Sequence, residues 1–540
     1  MAEQVQGGLL AARAIAAEGV DTIFTLCGGH IMPIYEGCRI EGVRVIDVRH
    51  EQAAAHAAEA WGRVNRSCGV AVVTAGPGVT GVVTAVANSF AAQTPLVVIG
   101  GARPLVQAGQ GALQELDQRS ILEPITKWSA VCTQAERIPD HIASAFRHAL
   151  AQPRGPVYLE LPMDVLFAEG AGEPAPSRSD ARAFGDPREV MKAADLLTKA
   201  ERPAVIAGSG VWWDGAWKQL RAFAENGQLP IFLNGSGRGA LPPDHPLFFQ
   251  HARRTALSGA DVLCVIGTPL DFRLKFGRFP AETKLVHIHG DPAELGRNRA
   301  PDAGILGDCA AVLGILADGV NTQTQRGSWL EVLRAADQEW WDEHRAEIES
   351  DAAPLHHYRL GAELDRVLDT STVVIGDGGD VVAAVSRVLR VHRPGHWLDP
   401  GPFGCLGVGP PYALGVKAAR ADAQVVVVAG DGAFGLNGFE FETLTRLGMP
   451  VVFVIGNDAA WGEIRIPQIG LYGGDAEIAT RLAPTPYERL TDTFGGHAEH
   501  VSGPDELAPA LERALAAGVP AIVNVMLDPD AMAGHAYRGM

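Results

Sequence analysis

The chain has 540 residues, 47% apolar and 20% charged, with a net charge of −18. That size and balance predict about three globular domains with ample core, and the acidic surplus argues against a nucleic-acid surface. Seven scattered cysteines show neither metal spacing nor a disulfide framework, and the absence of a long apolar run or a basic, apolar leader argues against a membrane span or signal peptide. A cytoplasmic protein that meets neither nucleic acid nor membrane is expected.

In chain order, the first segment, 1–168, alternates helix-like stretches with apolar strands at 22–26, 43–48, 70–74, 96–99 and 157–160. A linker rich in Gly, Pro and Ser follows over 169–186. The second segment, 187–318, repeats the alternation with strands at 204–207, 231–233, 262–266 and 285–289. A polar helical connection holding Trp340 and Trp341 leads to the third, 355–540, with strands at 373–375, 425–429, 451–455 and 521–525. Such alternation predicts an α/β protein of three domains with parallel sheets. The first and third segments each place a glycine turn after an apolar strand, Ala75-Gly76-Pro77-Gly78 and Gly430-Asp431-Gly432, a weak sign of internal duplication.

The second of those turns carries the most chemistry. Gly430-Asp431-Gly432-Ala433 ends one strand, a helix is predicted over 439–447, and Asn457 ends the next strand. One carboxylate and one amide oxygen therefore emerge at the C-terminal edge of neighbouring strands, where open α/β sheets bind ligands. Such oxygens suit Mg²⁺, and the glycines let backbone N–H groups approach a diphosphate.

Gly-Asp-Gly, this spacer and an Asn-Asn pair form the signature that the chain resembles, that of thiamine diphosphate (ThDP) enzymes, although Gly456 stands where the first Asn is usual. The resemblance implies a pyrimidine-binding domain, a central domain and a diphosphate-binding domain. It implies Asp431, Asn457 and the backbone oxygen of Ala459 as metal ligands. Further cofactor contacts are implied at Gly28, Gly76, Pro77, Asn88, Gly378, Gly379, Asp380, Gly430, Gly432, Ala433, Trp461 and Gly462, with Leu406 wedged between the cofactor's rings. Glu51, in Arg49-His50-Glu51-Gln52, matches the glutamate that activates the cofactor's aminopyrimidine; read on residues alone, it is equally a carboxylate favoured by a helix N-terminus.

Cys27-Gly28-Gly29-His30, Gly111–Gln118 and Leu161-Pro162-Met163-Asp164 resemble three related groups: acetolactate-synthase-like proteins, 2-hydroxyacyl-CoA lyases of the second type, and benzaldehyde lyase. In their pattern His30 and Gln114 face substrate, and Glu463 is an acid–base candidate whose register also admits a solvent-facing position. Cys27 and Cys405 read as packing residues. In the central domain Gly208-Ser209-Gly210 and Arg273 leave open a nucleotide (ADP, CoA or FAD) or none. The expected activity is carbon–carbon lyase or carboligase chemistry with ThDP and Mg²⁺, foremost cleavage of a 2-hydroxyacyl-CoA to formyl-CoA and an aldehyde or ketone. The alternatives are cleavage of free 2-hydroxyketones, as by benzaldehyde lyase, and condensation of pyruvate, as by acetolactate synthase. A chain ending soon after its last strand suggests no large C-terminal lid. The expected partners are a small-molecule substrate (an acyl-CoA, aldehyde, ketone or 2-oxo acid) and a second copy of the chain, in a homodimer or homotetramer with sites at the subunit interface.

Overall fold

The computed structural model describes residues 4–174, 181–320, 326–474 and 476–533; part of the predicted 169–186 linker lies outside them. The first domain is built on six strands: β1 (Thr22–Leu26), β2 (Arg44–Asp47), β3 (Gly69–Val73), β4 (Leu96–Ala102), β5 (Ser129–Val131) and β6 (Pro156–Pro162). They pair in the order β2-β1-β3-β4-β6-β5, every pair parallel. The central sheet holds β7 (Pro203–Ala207), β8 (Ile231–Leu233), β9 (Val262–Ile266), β10 (Lys284–His289) and β11 (Ala303–Leu306), in the order β8-β7-β9-β10-β11. The third holds β12 (Val373–Asp377), β13 (Trp397–Leu398), β14 (Val425–Gly430), β15 (Val452–Asn457), β16 (His497–Val501) and β17 (Ala521–Met526), in the order β13-β12-β14-β15-β17-β16. Numbered within each domain, the first and third sheets have one strand order. Three α/β domains with parallel sheets are thus present, and the suspected internal pair is real at the level of topology.

The central strands of each sheet are the apolar runs, because a parallel strand covered by helices on both faces must be apolar throughout; β3 and β9, for example, are buried at every residue. Four strands of these three sheets escaped sequence reading: β5, β11, β13 and β16, as did a short antiparallel pair, Val5–Gln6 with Glu169–Gly170. β5 is half-buried, β13 is two residues long, and β16 alternates partly exposed with exposed positions; each lies at a sheet edge, as does β11, where the apolar signal fades. The helix predicted over 439–447 is present as Glu440–Arg446, and a further short helix, Asp431–Asn437, precedes it, so Asp431 opens a helix instead of lying in a loop.

One hydrophobic core runs through both outer domains, from Leu10 and Phe24 to Phe453 and Ile522, whereas the central domain keeps its own. The seam joining the outer domains is the helix Glu51–Asn65 against the helix Gly409–Ala419. The first is alanine-rich and buried from Ala53 to Val64, and Gly415 of the second lies directly on the Ala57 carbonyl, where a Cβ would not fit. Within this seam Glu59 is wholly buried, paired with Arg63 at 2.7 Å and approached by Asn88 Nδ2 at 3.2 Å. A buried ion pair needs such extra partners to offset desolvation. Among the described residues no helix is long and apolar enough to cross a membrane.

Candidate active site at the sheet ends

In the first domain the polar groups gather around the turn after β3. Gly76 adopts φ +61°, and its N–H donates to Gln118 Oε1 at 2.9 Å. Gln118 is itself buried and donates through Nε2 to the Gly101 carbonyl (2.7 Å), Tyr158 Oη (3.0 Å) and Glu160 Oε2 (3.0 Å). Gln114, also at positive φ, packs against Gly76, and Pro77 opens the next helix. His30 sits beside this turn with Nδ1 3.2 Å from Thr74 Oγ1; burial lowers its pKa and so favours the neutral imidazole. Gly28 packs tightly on the Thr74 side chain. The structure thus gathers Gly28, His30, Gly76 and Gln114 around one turn. It adds Gln118, which sequence reading quoted without a role and whose tell was a second amide four residues beyond Gln114.

Glu51 is the first residue of its helix, half-buried, with its carboxylate against Gly81; a Cβ there would stand 3.0 Å from Oε2. His50 caps the helix by accepting from Gln52 N–H at 3.0 Å. Asn88, expected among the cofactor contacts, instead lies fully buried in the seam between the outer domains, its amide nitrogen directed to Glu59 and Tyr412. Cys27, expected to pack, is exposed; Cys405 is buried.

In the third domain Asp377, which sequence reading passed over, accepts from the N–H groups of Gly407 (2.9 Å) and Gly409 (2.6 Å) and so fixes the loop bearing half-buried Leu406. Burial pushes its carboxyl up to about 6. Gly378, at φ +105°, abuts Ala433, and Gly432 lies under the Trp461 ring. Asp431 is buried, its Oδ1 accepts from Gly432 N–H at 2.7 Å, and its Oδ2 has no hydrogen-bond partner.

The residue facing Asp431 corrects the sequence reading by one position. Asn457 turns away: its Nδ2 donates to the Thr485 carbonyl (2.9 Å) and Asn524 Oδ1 (3.1 Å), and its Oδ1 receives the Ala459 N–H at 3.3 Å. Asp458 is the group at Asp431, and its own Oδ2 is buried without a hydrogen-bond partner. Burial, with repulsion from Asp380, pushes the Asp431 and Asp458 carboxyls up. The Ala459 carbonyl, expected on a metal, accepts from Leu482 N–H at 2.7 Å, with Ala459 held at φ +54°.

Glu463 lies in the first turn of the helix Gly462–Tyr472, with Oε2 2.7 Å from where a Cβ on Gly379 would stand. It lines a cavity of about 1090 Å³ between the central and third domains, together with Asp380, Gly462 and the arginines 238, 253, 254 and 387. Arg238 donates to the Ser386 carbonyl (3.0 Å) and Arg253 to the Leu233 carbonyl (2.9 Å). Burial lowers the pKa of both, that of Arg253 to about 10. The nucleotide candidates of the central domain are otherwise engaged. Arg273 is bound to Asp271 at 2.6 Å, and Gly208 and Gly210 pack on the Gly267-Thr268 turn.

Two buried carboxylates with unpartnered oxygens, at the C-terminal ends of adjacent strands, fit a hard divalent cation. Comparison with known proteins agrees with this geometry. Residues 5–121 match the thiamine pyrophosphate enzyme N-terminal TPP binding domain, 190–316 the central domain and 377–525 the C-terminal TPP binding domain. The chain is 43% identical over 535 residues to a probable acetolactate synthase of Mycobacterium bovis and, equally, to the acetolactate synthase large subunit IlvG of Mycobacterium tuberculosis, covering 98% of this chain and 97% of either relative. It is 34% identical over 573 residues to 2-hydroxyacyl-CoA lyase 2 of Homo sapiens, covering 96% of this chain and 90% of the relative.

Proposed function

The chain belongs to the thiamine pyrophosphate enzyme family, whose members make or break carbon–carbon bonds, and within it we propose a lyase that cleaves 2-hydroxyacyl-CoA to formyl-CoA and an aldehyde or ketone. Bound ThDP would supply the carbanion chemistry at its thiazolium carbon. The third domain would hold the diphosphate and Mg²⁺ through Asp431 and Asp458, and the first would present Glu51 to the aminopyrimidine. His30 and Gln114 offer a donor and acceptors for hydroxyl and carbonyl oxygens. Glu463, which lines the cavity, would move a proton there.

One observation carries the substrate class. Arg238 and Arg253 are half-buried beside a cavity of about 1090 Å³ and donate to main-chain carbonyls. Partly desolvated guanidinium groups at a cavity wall favour anionic partners that they can grip with a fork of donors, and a phosphate-bearing thioester has both the size and the charge. A second reading, acetolactate synthase, draws on the 43% relatives. The deciding experiment incubates the ThDP- and Mg²⁺-loaded protein with 2-hydroxyacyl-CoAs, acyloins and pyruvate separately. Formyl-CoA release is the expected result. Pyruvate consumption with co-purified FAD would replace the proposal by the second reading, and turnover of free acyloins alone by a benzaldehyde-lyase-like activity.

A further inference from the structure

Beside the Asp431–Asp458 pair lies a group that the proposed reaction does not use. His357 is the first residue of the helix His357–Val367 and is 1% exposed. Neither of its ring nitrogens has a hydrogen-bond partner. Its Nε2 stands 3.7 Å from Asp380 Oδ2, too far for a hydrogen bond. Asp380 Oδ2 and Asp458 Oδ2 are likewise buried and unpartnered. One ligand atom from each of His357, Asp380 and Asp458 falls within 4.8 Å of the other two. An orphaned polar atom in a buried site is costly, and three converging on one point call for a common partner.

We propose that His357, Asp380 and Asp458 form a second divalent-cation site next to the cofactor's own, with Asp458 bridging the two. Spacing agrees: two donors bound to one tetrahedral ion at about 2.1 Å lie about 3.4 Å apart, so the 3.7 Å between His357 Nε2 and Asp380 Oδ2 needs little adjustment. Gly462 makes the approach possible, because a Cβ there would overlap Asp380 Oδ2 and stand 2.7 Å from Asp458 Oδ2. Charge agrees as well. Asp380, Asp431 and Asp458 together with a diphosphate place more negative charge in one low-dielectric site than a single divalent ion offsets. One imidazole among carboxylates selects Mn²⁺, Co²⁺ or Zn²⁺ over Mg²⁺.

This inference rests on Asp431 and Asp458 holding the cofactor's cation, and the experiment separates the two. The chelator-stripped, full-length protein is reloaded with ThDP and Mn²⁺, and bound Mn²⁺ is counted by elemental analysis and electron paramagnetic resonance. Two ions per chain are expected in the wild type, with a spin-coupled signal, and excess Mg²⁺ should displace only one. His357→Gln should retain ThDP and a single Mn²⁺ that Mg²⁺ fully displaces; His357→Phe serves the same purpose if that variant does not fold. A single Mn²⁺ in the wild type, or two in both wild type and His357→Gln, overturns the second site. So do ¹⁵N shifts showing His357 as an imidazolium paired with the carboxylates. Asp431→Ala keeping both ions would instead overturn the placement of the cofactor's cation.

Discussion

The two outer domains carry six parallel strands in one order, and in each the turn after the third strand is glycine-rich: Ala75-Gly76-Pro77 beyond β3, Gly430-Asp431-Gly432 at the end of β14. What the strand ends present is different. The first domain offers an imidazole and two amides around the Thr74–Gly76 turn, with Glu51 at a separate helix start. The third offers Asp377, Asp380, Asp431 and Asp458, buried or half-buried. One backbone plan thus supports two kinds of site. Uncharged hydrogen-bonding groups suit rings and carbonyl oxygens, which must be oriented but not neutralised. A nest of carboxylates is stable only with cations, so that half of the site is assembled by its ligand.

The largest expected effect tests the division directly. Glu51→Gln should reduce turnover by about 10²-fold or more while calorimetry finds ThDP affinity little changed, whereas Asp431→Ala should lose cofactor binding itself. If Glu51→Gln abolishes ThDP binding, the two halves are not separable in this way. The family resemblance implies a site shared across an isologous dimer, and on that arrangement mixing these two inactive variants should regain part of the activity through hybrid sites; an active monomer in sedimentation would remove it.

Next in size is the choice between neighbours at the end of β15, Asn457 and Asp458. Asp458→Ala should weaken Mg²⁺-dependent ThDP binding by about 10–100-fold, the range seen when a group tuning a metal site is lost. Asn457→Ala should instead cost about 1–3 kcal/mol of stability in denaturant unfolding, because Asn524 loses a buried partner. The opposite ranking would return the amide to the metal.

A smaller effect is expected in the first domain. Gln118→Leu strands the Gly76 N–H and the Gly101 carbonyl, and a loss of about 1–3 kcal/mol should accompany a rise in KM. Unchanged unfolding and kinetics would show that the β3 turn holds its shape without it.

The subtlest prediction concerns Glu440, which accepts Arg49 N–H at 2.8 Å from across the domain seam and whose carboxyl burial pushes up from 4.5 to about 7. A raised carboxyl means that the folded state holds a proton the unfolded chain has released. Its contribution is therefore full below about 4.5 and declines as pH rises through about 7. Glu440→Gln should flatten this part of the stability profile in thermal unfolding, and an unaltered slope would place the titration elsewhere.

These residues also mark where sequence reading ends. The apolar strands, the glycine turns and Glu51 at a helix start were legible, because buried parallel strands and helix starts leave local patterns. Asn457 and Asp458 were not separable by pattern. Successive side chains of a strand point to opposite faces, so an error of one residue exchanges the sheet interior, where Asn457 meets Asn524, for the ligand side, where Asp458 meets Asp431. His357 and Asp377 act on residues 20 or more positions away, a relation set by packing alone. Asn88 was misplaced for a like reason: its partner Tyr412 lies 324 residues on and across a domain boundary.

The contact between Gly415 and the Ala57 carbonyl bears on how such a protein can diversify. Where main chain touches main chain, nothing can slide and no side chain can be enlarged, so the outer domains behave as a single casting. The central domain has its own core and meets its neighbours mainly through side chains, as at Gln93 with Asp291 and Arg238 with the Ser386 carbonyl, with one close main-chain contact where Gly239 lies on Arg393. Tolerance to change is therefore concentrated on one wall of the cavity. A lineage could recut that wall, arginine by arginine, to admit new acyl groups while the reacting centre opposite it stayed as it was.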